Sequence, residues 1–388
     1  MQNAGREFSI FNFQFPISNA RRAASLASAR DFLNATRQKF LQLIQERRSL
    51  FATFQVTAGC NLRCKNCGGD FTEPRPDELA TEEVYALIRN LQRAGTTYLS
   101  LGGGEPTMRD DLPQIVAYAS SLMGVGMVSN GVLLDEEYAE LLKRAGLSVV
   151  DISLDGASAE THDPQRGAGS FERGLRALQN CQRAGIPVVD LQTTISQLNY
   201  PELPRIIRLA LDLGVNIVVN QFIPCGRAQG RDDLLLTREQ RKELQRYLIE
   251  QERLFGKQRI KFDRYYIVSE DEKGQRIWGD PAKSGFNVGD PFGIYGYAIA
   301  ANGKVTPTTP EIEIGDLRRE ELSEVWTHSD VLATLRNRER LKGKCGRCEY
   351  KFICGGDRRR THALTGDPMG EDPLCWYEPF LETMSYEP

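Results

Sequence analysis

From Phe51 onward, short β-branched runs alternate about six times with amphipathic stretches, at roughly 25–40 residue spacing. FATFQVTA predicts a strand. Thr81 to Ala94 predicts a helix, with Thr81 as N-cap and Glu83 in the first turn. TYLSLGGGEP is a strand ending in a glycine turn, Asp111 to Leu122 a helix, and GVGMVSNG a strand. Glu136 to Ala145, LSVVDISLDG, Phe171 to Ala184, IPVVDLQTTI, Pro201 to Leu213 and VNIVVNQFIP continue the alternation. Parallel strands need a crossover of this length, so the pattern selects βαβ units in an α/β fold. Six units fall short of a complete eight-stranded barrel, which predicts an open or partial (β/α)6 barrel of TIM type. A doubly wound sheet is the alternative.

The rhythm breaks after a charged helix, Thr237 to Phe255. YGYAIAANGKVTPT then predicts a hairpin turning at Asn302-Gly303, and Leu322 to Arg338 a short helix. These shifts divide the chain into a helical N-terminal segment (1–50), the barrel (51–270) and a small C-terminal domain (271–388). A length of 388 residues fits two or three domains. The net charge of −3 offers no global basic field for nucleic acid. The basic run Arg358 to Arg360 reads as a solvated face. No apolar run approaches a membrane span, and the N-terminus lacks a signal-peptide layout. Nine cysteines without a secretory signal point to a reducing, cytoplasmic setting, where clustered cysteines are more often metal ligands than disulfides.

Seven of the nine cysteines fall in two clusters. Cys60, Cys64 and Cys67 form C-x3-C-x2-C directly after the first predicted strand, where α/β folds gather ligand sites. An iron–sulfur cubane held by three thiolates keeps one iron open, whereas structural zinc asks for four ligands; spacing alone leaves both readings standing. Cys345, Cys348, Cys354 and Cys375 make a complete four-thiolate set in a loop-rich segment, again open to cluster or zinc. Cys181 reads as a small core hydrophobe. Cys225 is a low-ranked candidate hydrogen-atom donor, with packing the stronger reading. His162, His328 and His362 are scattered, His362 being a candidate substrate contact, and Tyr265 and Tyr266 are candidates for the cavity mouth.

With its motifs in this order, the chain over roughly 51–388 resembles the radical S-adenosylmethionine (radical SAM) enzymes. The resemblance implies that Cys60, Cys64 and Cys67 hold a 4Fe–4S cluster whose open iron takes S-adenosylmethionine. It places Gly103, Gly104, Glu105 and Pro106 (GGEP) near the methionine amino group. Ser129-Asn130-Gly131 and Ser153 to Gly156, with Ser153 and Asp155, end the next two strands, and Arg166 stands near the methionine carboxylate. Pro224 to Arg227 (PCGR) falls near the adenine. One departure is Asn66, where the family commonly has an aromatic residue against the adenine. The resemblance further implies reductive cleavage to a 5′-deoxyadenosyl radical, hydrogen abstraction from an unactivated C–H, and an electron supplied by a ferredoxin- or flavodoxin-type partner.

The tail, CGRCEYKFICGG followed by RRTHALTGDPMGEDPLC, resembles the SPASM or twitch extension, and within it enzymes that modify tetrapyrrole side chains. A full SPASM domain carries two auxiliary clusters. The first would need cysteines around Asp290–Pro291, near Thr308 and just after Cys354; none stands there, and Asp357 occupies the last place as a leftover position. One auxiliary cluster is therefore expected, giving two 4Fe–4S clusters in all. Such a cluster suits oxidation of a substrate radical from a tetrapyrrole or other small molecule. The alternatives are the same chemistry on a ribosomal peptide or on a sugar or aminocyclitol, and a non-catalytic iron–sulfur carrier. The N-terminal helices are too short to resemble a peptide-recognition domain, which weighs against the peptide.

Overall fold

The computed structural model describes residues 34, 37, 38, 40–42, 44, 45, 51–262, 268–270, 276–278, 293–307, 311–352 and 354–379. The barrel elements run β1 (Phe51–Thr57), α1 (Thr81–Arg93), β2 (Tyr98–Gly103), α2 (Leu112–Ser120), β3 (Gly124–Ser129), α3 (Glu136–Arg144), β4 (Val149–Ser153), α4 (Ala159–Arg166), α5 (Ser170–Arg183), β5 (Val188–Ile195), α6 (Leu203–Asp212), β6 (Asn216–Gln221), α7 (Arg238–Phe255) and β7 (Ile260–Phe262). After β8 (Val268–Glu270) and β9 (Arg276–Trp278) come β10 (Gly296–Ile299), β11 (Lys304–Thr306), β12 (Gly315–Asp316), α8 (Leu322–His328), α9 (Asp330–Arg336), α10 (Gly343–Arg347) and α11 (Arg358–Thr365).

Strands β1 to β7 lie in sequence order and pair in parallel, with Phe54 of β1 opposite Leu101 of β2 and Asp190 of β5 opposite Asn216 of β6. The helices cover one face. In α6, Leu203, Ile206, Ile207 and Ala210 repeat at helical spacing and are buried. The strands supply the facing layer: Ala52, Phe54 and Val56 of β1 and Ile217 and Val219 of β6 join the same core. Their alternate residues, among them Thr53, Gln55, Asp151 and Gln192, are only half-buried and line the opposite, concave face. The wall is hydrophobic outside and polar inside.

The sheet is an unclosed barrel. β7 ends one edge; at the other, β10 pairs in parallel with β1 and continues antiparallel through β11 to β12. The predicted hairpin is present, with its turn at Asn302-Gly303, and it extends the barrel sheet. Four details differ from the sequence reading. β7 adds a seventh parallel strand. Ala80, not Thr81, is the N-cap of α1, and the Thr81 hydroxyl instead donates to Asp111 at 2.6 Å. The segment 322–338 is two helices broken at Ser329, whose side chain caps the second. α4 forms despite the internal Pro164. The N-terminal segment is helical at its described residues between 34 and 45, with Phe40 buried against Phe352. Asp290, Pro291, Thr308, Tyr265, Tyr266 and the rest of 1–33 lie outside the described residues.

The GGEP turn shows why glycine is needed. Gly103 adopts φ +123°, and a Cβ on Gly104 would stand 2.0 Å from the Gly59 carbonyl oxygen, while one on Gly102 would meet nothing within 4 Å. Through this close approach Gly104 N–H donates to Thr57 O and Glu105 N–H to Gly59 O, both at 2.8 Å. Gly104→Ala is expected to destabilise by about 1–3 kcal/mol in denaturant titration, because backbone rather than a movable side chain is in the way. Gly102→Ala should leave stability unchanged; equal loss in both would refute the backbone clash as the cause.

Candidate active site and auxiliary metal centre

The loop carrying Cys60, Cys64 and Cys67 leaves the C-terminal end of β1. Glu78 caps its start, accepting from Ala58 N–H at 2.7 Å and from the Thr57 hydroxyl at 3.2 Å. Cys60 N–H donates to Thr72 O, Lys65 N–H to Gln165 O, and Ala228 N–H to Cys67 O. The loop is thus clasped from α4 on one side and from the exit of β6 on the other. All three thiols are partly accessible, and burial, with a smaller push from the neighbouring cysteines, raises the pKa of Cys60 and Cys64. Burial pushes the Cys64 thiol up to about 11, against the pull of the Arg166 charge. Cys225, after β6, donates its thiol to Gly68 O at 3.2 Å. Burial pushes it up to about 11 as well, and Arg359, Glu311 and Asp357 of the C-terminal part act on it electrostatically.

Two buried carboxylates tie this loop to the strand ends. Glu105 accepts from the Ser129 hydroxyl at 2.7 Å, Asn130 N–H at 2.7 Å, and the Thr107 hydroxyl and N–H at 2.6 and 3.2 Å. Burial raises its carboxyl above the usual range, and these bonds oppose the rise. Asn130 reaches on to Asn61 of the cysteine loop at 2.7 Å. Asp155, with no exposed surface, follows β4 and Ser153. Its carboxylate accepts from Arg166 Nε at 2.7 Å, Asn66 Nδ2 at 3.0 Å and Thr194 N–H at 2.8 Å. Its carbonyl accepts from Gln165 and Asn199. Burial alone would raise the Asp155 carboxyl, but the charge and hydrogen bond of Arg166, with Asn66 and Thr194, hold it below the usual range. His162 completes the cage by accepting Asp155 N–H on Nδ1 at 3.0 Å, which fixes the proton on Nε2. Burial and the Arg166 charge lower His162 to about 4, so it is neutral.

Lower in the lumen, Asp190 is saturated by Lys261 at 2.5 Å and Asn216 at 2.7 Å. Asp151 stands beside it, and burial, with the neighbouring Asp190 carboxylate, raises its carboxyl well above the usual range.

In the C-terminal part, Cys345, Cys348, Cys354 and Cys375 line one pocket with Tyr350, Trp376 and Tyr377. Backbone N–H groups point at three of the sulfurs: Asp372 to Cys345 at 3.4 Å, Tyr350 to Cys348 at 3.4 Å and Gly356 to Cys354 at 3.3 Å. Among the described residues, no three His, Cys, Asp or Glu side chains gather as closely as a single metal ion requires. Four thiols lining one pocket make a closed donor set of the kind an iron–sulfur cluster takes.

Residues 54–210 match the Radical SAM superfamily, and residues 292–349 match SPASM, an iron–sulfur cluster-binding domain. An AdoMet-dependent heme synthase of Methanosarcina barkeri is 34% identical over 335 residues, spanning 84% of this chain and 96% of that protein. The chain belongs to the radical SAM superfamily. The mycofactocin maturase MftC of Mycolicibacterium smegmatis is 31% identical over 352 residues, 87% of this chain and 86% of that protein. The Streptococcus suis SuiB structure bound to precursor peptide SuiA shares the fold, with a TM-score of 0.67 at 15% identity, covering 93% of this chain and 84% of that one.

A radical SAM domain binds a 4Fe–4S cluster and S-adenosylmethionine, and a SPASM domain binds auxiliary iron–sulfur clusters. The donor sets fit: three thiols share one loop at a strand end, and four thiols line one pocket, three of them receiving N–H groups that complement thiolate charge. The radical SAM motifs named from the sequence converge on the cysteine loop. Gly103, Gly104, Glu105, Pro106, Asn130, Ser153 and Asp155 lie at the C-terminal ends of strands or just after them, and Arg166, at the end of α4, reaches back to Asp155. The side chains of Glu105, Asn130, Asp155 and Arg166 bond to protein groups, so they also build the loop's support.

Two expectations are corrected. Asp357 is no leftover: it caps α11, accepting from Arg360 N–H at 2.9 Å, and pairs with the Arg360 guanidinium at 3.0 Å. The run 358–360 is not a solvated face either, since Arg358 and Arg360 are buried. His162, Asn66 and Gln165 were missed as partners of Asp155. The only available signal was the polar residue Asn66 in the family's aromatic position. Cys181 is fully buried in the core, as expected. No helix among the described residues is long and apolar enough to cross a membrane.

Asp155→Asn leaves Arg166 buried without its counter-charge, and the reconstituted protein is expected to lose about 3–5 kcal/mol in denaturant titration. A loss below 1 kcal/mol, about the worth of an exposed pair, would show that Arg166 finds water instead. His162 gives a pH test. Its imidazole protonates near 6.5 when unfolded and only at about 4 when folded. Between those values the unfolded chain binds the extra proton, so stability falls as pH falls. His162→Asn, whose amide oxygen can accept the same N–H, should flatten that slope by up to about 1.4 kcal/mol per pH unit. An unchanged slope would mean that His162 ionises in the folded protein.

Proposed function

We propose that this radical SAM enzyme oxidises a small molecule, with a tetrapyrrole carboxylate side chain as the first choice, and uses one auxiliary 4Fe–4S cluster as the electron acceptor. The observation that carries the reading is the contrast between an open three-thiol site and a closed four-thiol site. When bound, the first cluster and S-adenosylmethionine supply a 5′-deoxyadenosyl radical able to abstract hydrogen from an unactivated C–H. The chain's residues do the rest. Gly103, Gly104 and Pro106 keep side chains away from the cysteine loop, where the methionine end belongs. Asn130 and Ser153 border the same space. Asp155, with Arg166, His162 and Asn66, holds the loop rigid and dry, as a reactive radical requires.

Loss of hydrogen leaves a carbon radical. In an oxidative decarboxylation that radical would give an alkene, carbon dioxide and one electron, and the cluster that Cys345, Cys348, Cys354 and Cys375 would hold is the proposed acceptor of the electron. Seven of nine cysteines are spent in the two sites, Cys181 is buried in the core and Cys225 bonds to Gly68 beside the first site, which supports a single auxiliary cluster. The similarity to a heme synthase over nearly that protein's whole length, and the tetrapyrrole-like tail, favour the tetrapyrrole. The similarity to MftC keeps a peptide as the second reading. A ferredoxin- or flavodoxin-type protein is the proposed source of the initiating electron.

Anaerobically reconstituted enzyme, reduced with dithionite, is expected to convert S-adenosylmethionine to 5′-deoxyadenosine. With an iron tetrapyrrole bearing propionate side chains, it should release carbon dioxide. The double variant Cys345→Ser, Cys348→Ser should still form 5′-deoxyadenosine but lose the decarboxylated product by about a hundredfold or more, the scale seen when metal-site support is removed. Full product formation by that variant would sink the electron-acceptor role. Absence of 5′-deoxyadenosine from iron-replete enzyme would favour a carrier.

A further inference from the structure

Arg358 is a buried charged side chain that donates to the sulfur of a tail cysteine. Its Nη2 stands 3.6 Å from Cys345 Sγ, and only 2% of the residue is exposed. Its orientation is fixed from the other side, because Nη1 donates to the carbonyls of Pro368 and Gly370 at 2.9 and 2.7 Å. The approach is built into the backbone. Gly356 sits at φ +71°, and a Cβ there would fall 2.2 Å from Arg358 Nη2 and 3.2 Å from Cys345 Sγ. Only glycine leaves room for the guanidinium beside the sulfur.

The surrounding charges leave the Arg358 cation available to the sulfur. The nearby carboxylates Asp357 and Asp372 are both taken by Arg360, at 3.0 and 2.5 Å. Burial opposes ionisation of Asp372, but Arg360 holds its carboxyl far below the usual range. Among the described residues Arg358 pairs with no carboxylate; its bonds go to two carbonyls and one sulfur. Cys348 and Cys354 receive neutral backbone donors. Cys345 receives a backbone donor and a cation.

We propose that Arg358 is a positioning residue that raises the reduction potential of the iron–sulfur cluster held by Cys345, Cys348, Cys354 and Cys375, making that site the better electron acceptor. The physical reason is direct. Reduction adds one negative charge to the cluster, and a fixed cation in a dry environment stabilises the reduced state more than the oxidised one. Charge-assisted hydrogen bonds are about twice as strong as neutral ones, so this donor outweighs its backbone neighbours. The inference rests on the four thiols holding the auxiliary cluster.

The test separates the two. The variant Cys60→Ala, Cys64→Ala, Cys67→Ala is reconstituted anaerobically, and its remaining cluster is titrated potentiometrically by electron paramagnetic resonance. Arg358→Gln and Arg358→Lys are added to that background. A cluster signal in the triple variant establishes the four-thiolate reading; its absence overturns that reading before Arg358 is reached. The midpoint is expected to move to lower potential in Arg358→Gln, and less far in Arg358→Lys, which keeps the charge without the fork that spans carbonyl and sulfur. Midpoints unchanged in iron-replete variants would overturn the proposal. Loss of the cluster from both variants would overturn it too, assigning Arg358 to folding alone.

Discussion

The buried ion pair of Asp155 and Arg166 is the constraint on which the candidate active site depends. Asp155 has no exposed surface, and its carboxylate, carbonyl and N–H are all answered, from four places. Arg166, Gln165 and His162 come from α4, Thr194 from β5, Asn199 from beyond β5, and Asn66 from the cysteine loop itself. Each donor is thereby placed relative to the others. The loop has no regular structure of its own, so this shared anchor, with the smaller one at Glu105, sets where its three thiols stand. A network of this kind is stabilising only when complete, and removal of one member leaves a buried charge behind.

The same logic appears in the C-terminal part with a different end. There Arg360 answers Asp357 and Asp372 in full, which frees Arg358 to face a sulfur. Buried charges build both metal centres, but they are spent differently. In the barrel they fix a loop and leave its metal site open. In the tail they close a site and aim positive charge at it. Cys225 stands between the two, bonded to Gly68 and within the field of Arg359, Glu311 and Asp357, so the centres belong to one electrostatic environment.

Much of this was legible in the sequence because it is carried by local pattern. Strand and helix alternation gave the unclosed barrel, and cysteine spacing marked both centres. What was not legible depends on long-range pairing or short segments. β7 has three residues and follows a charged helix, so no period reveals it. α4 is short and contains Pro164, so no helical period marks it, although it carries three of the Asp155 partners. Asn66 looked like a departure from a family habit, and its meaning lay 89 positions away at Asp155. The run Asp357 to Arg360 looked like solvent-facing charge. Composition cannot distinguish a solvated charge run from one that neutralises itself in the interior; only the fold brings Asp372 to Arg360.

The central claim is that one centre is open to S-adenosylmethionine and the other is closed. Electron paramagnetic resonance of the dithionite-reduced enzyme, with and without S-adenosylmethionine, tests it directly. Two reduced-cluster signals are expected, of which S-adenosylmethionine changes one and leaves the other untouched. The changed signal should be the one that vanishes when Cys60, Cys64 and Cys67 are replaced. A change in both signals, in neither, or in the signal of the tail cysteines would contradict the account.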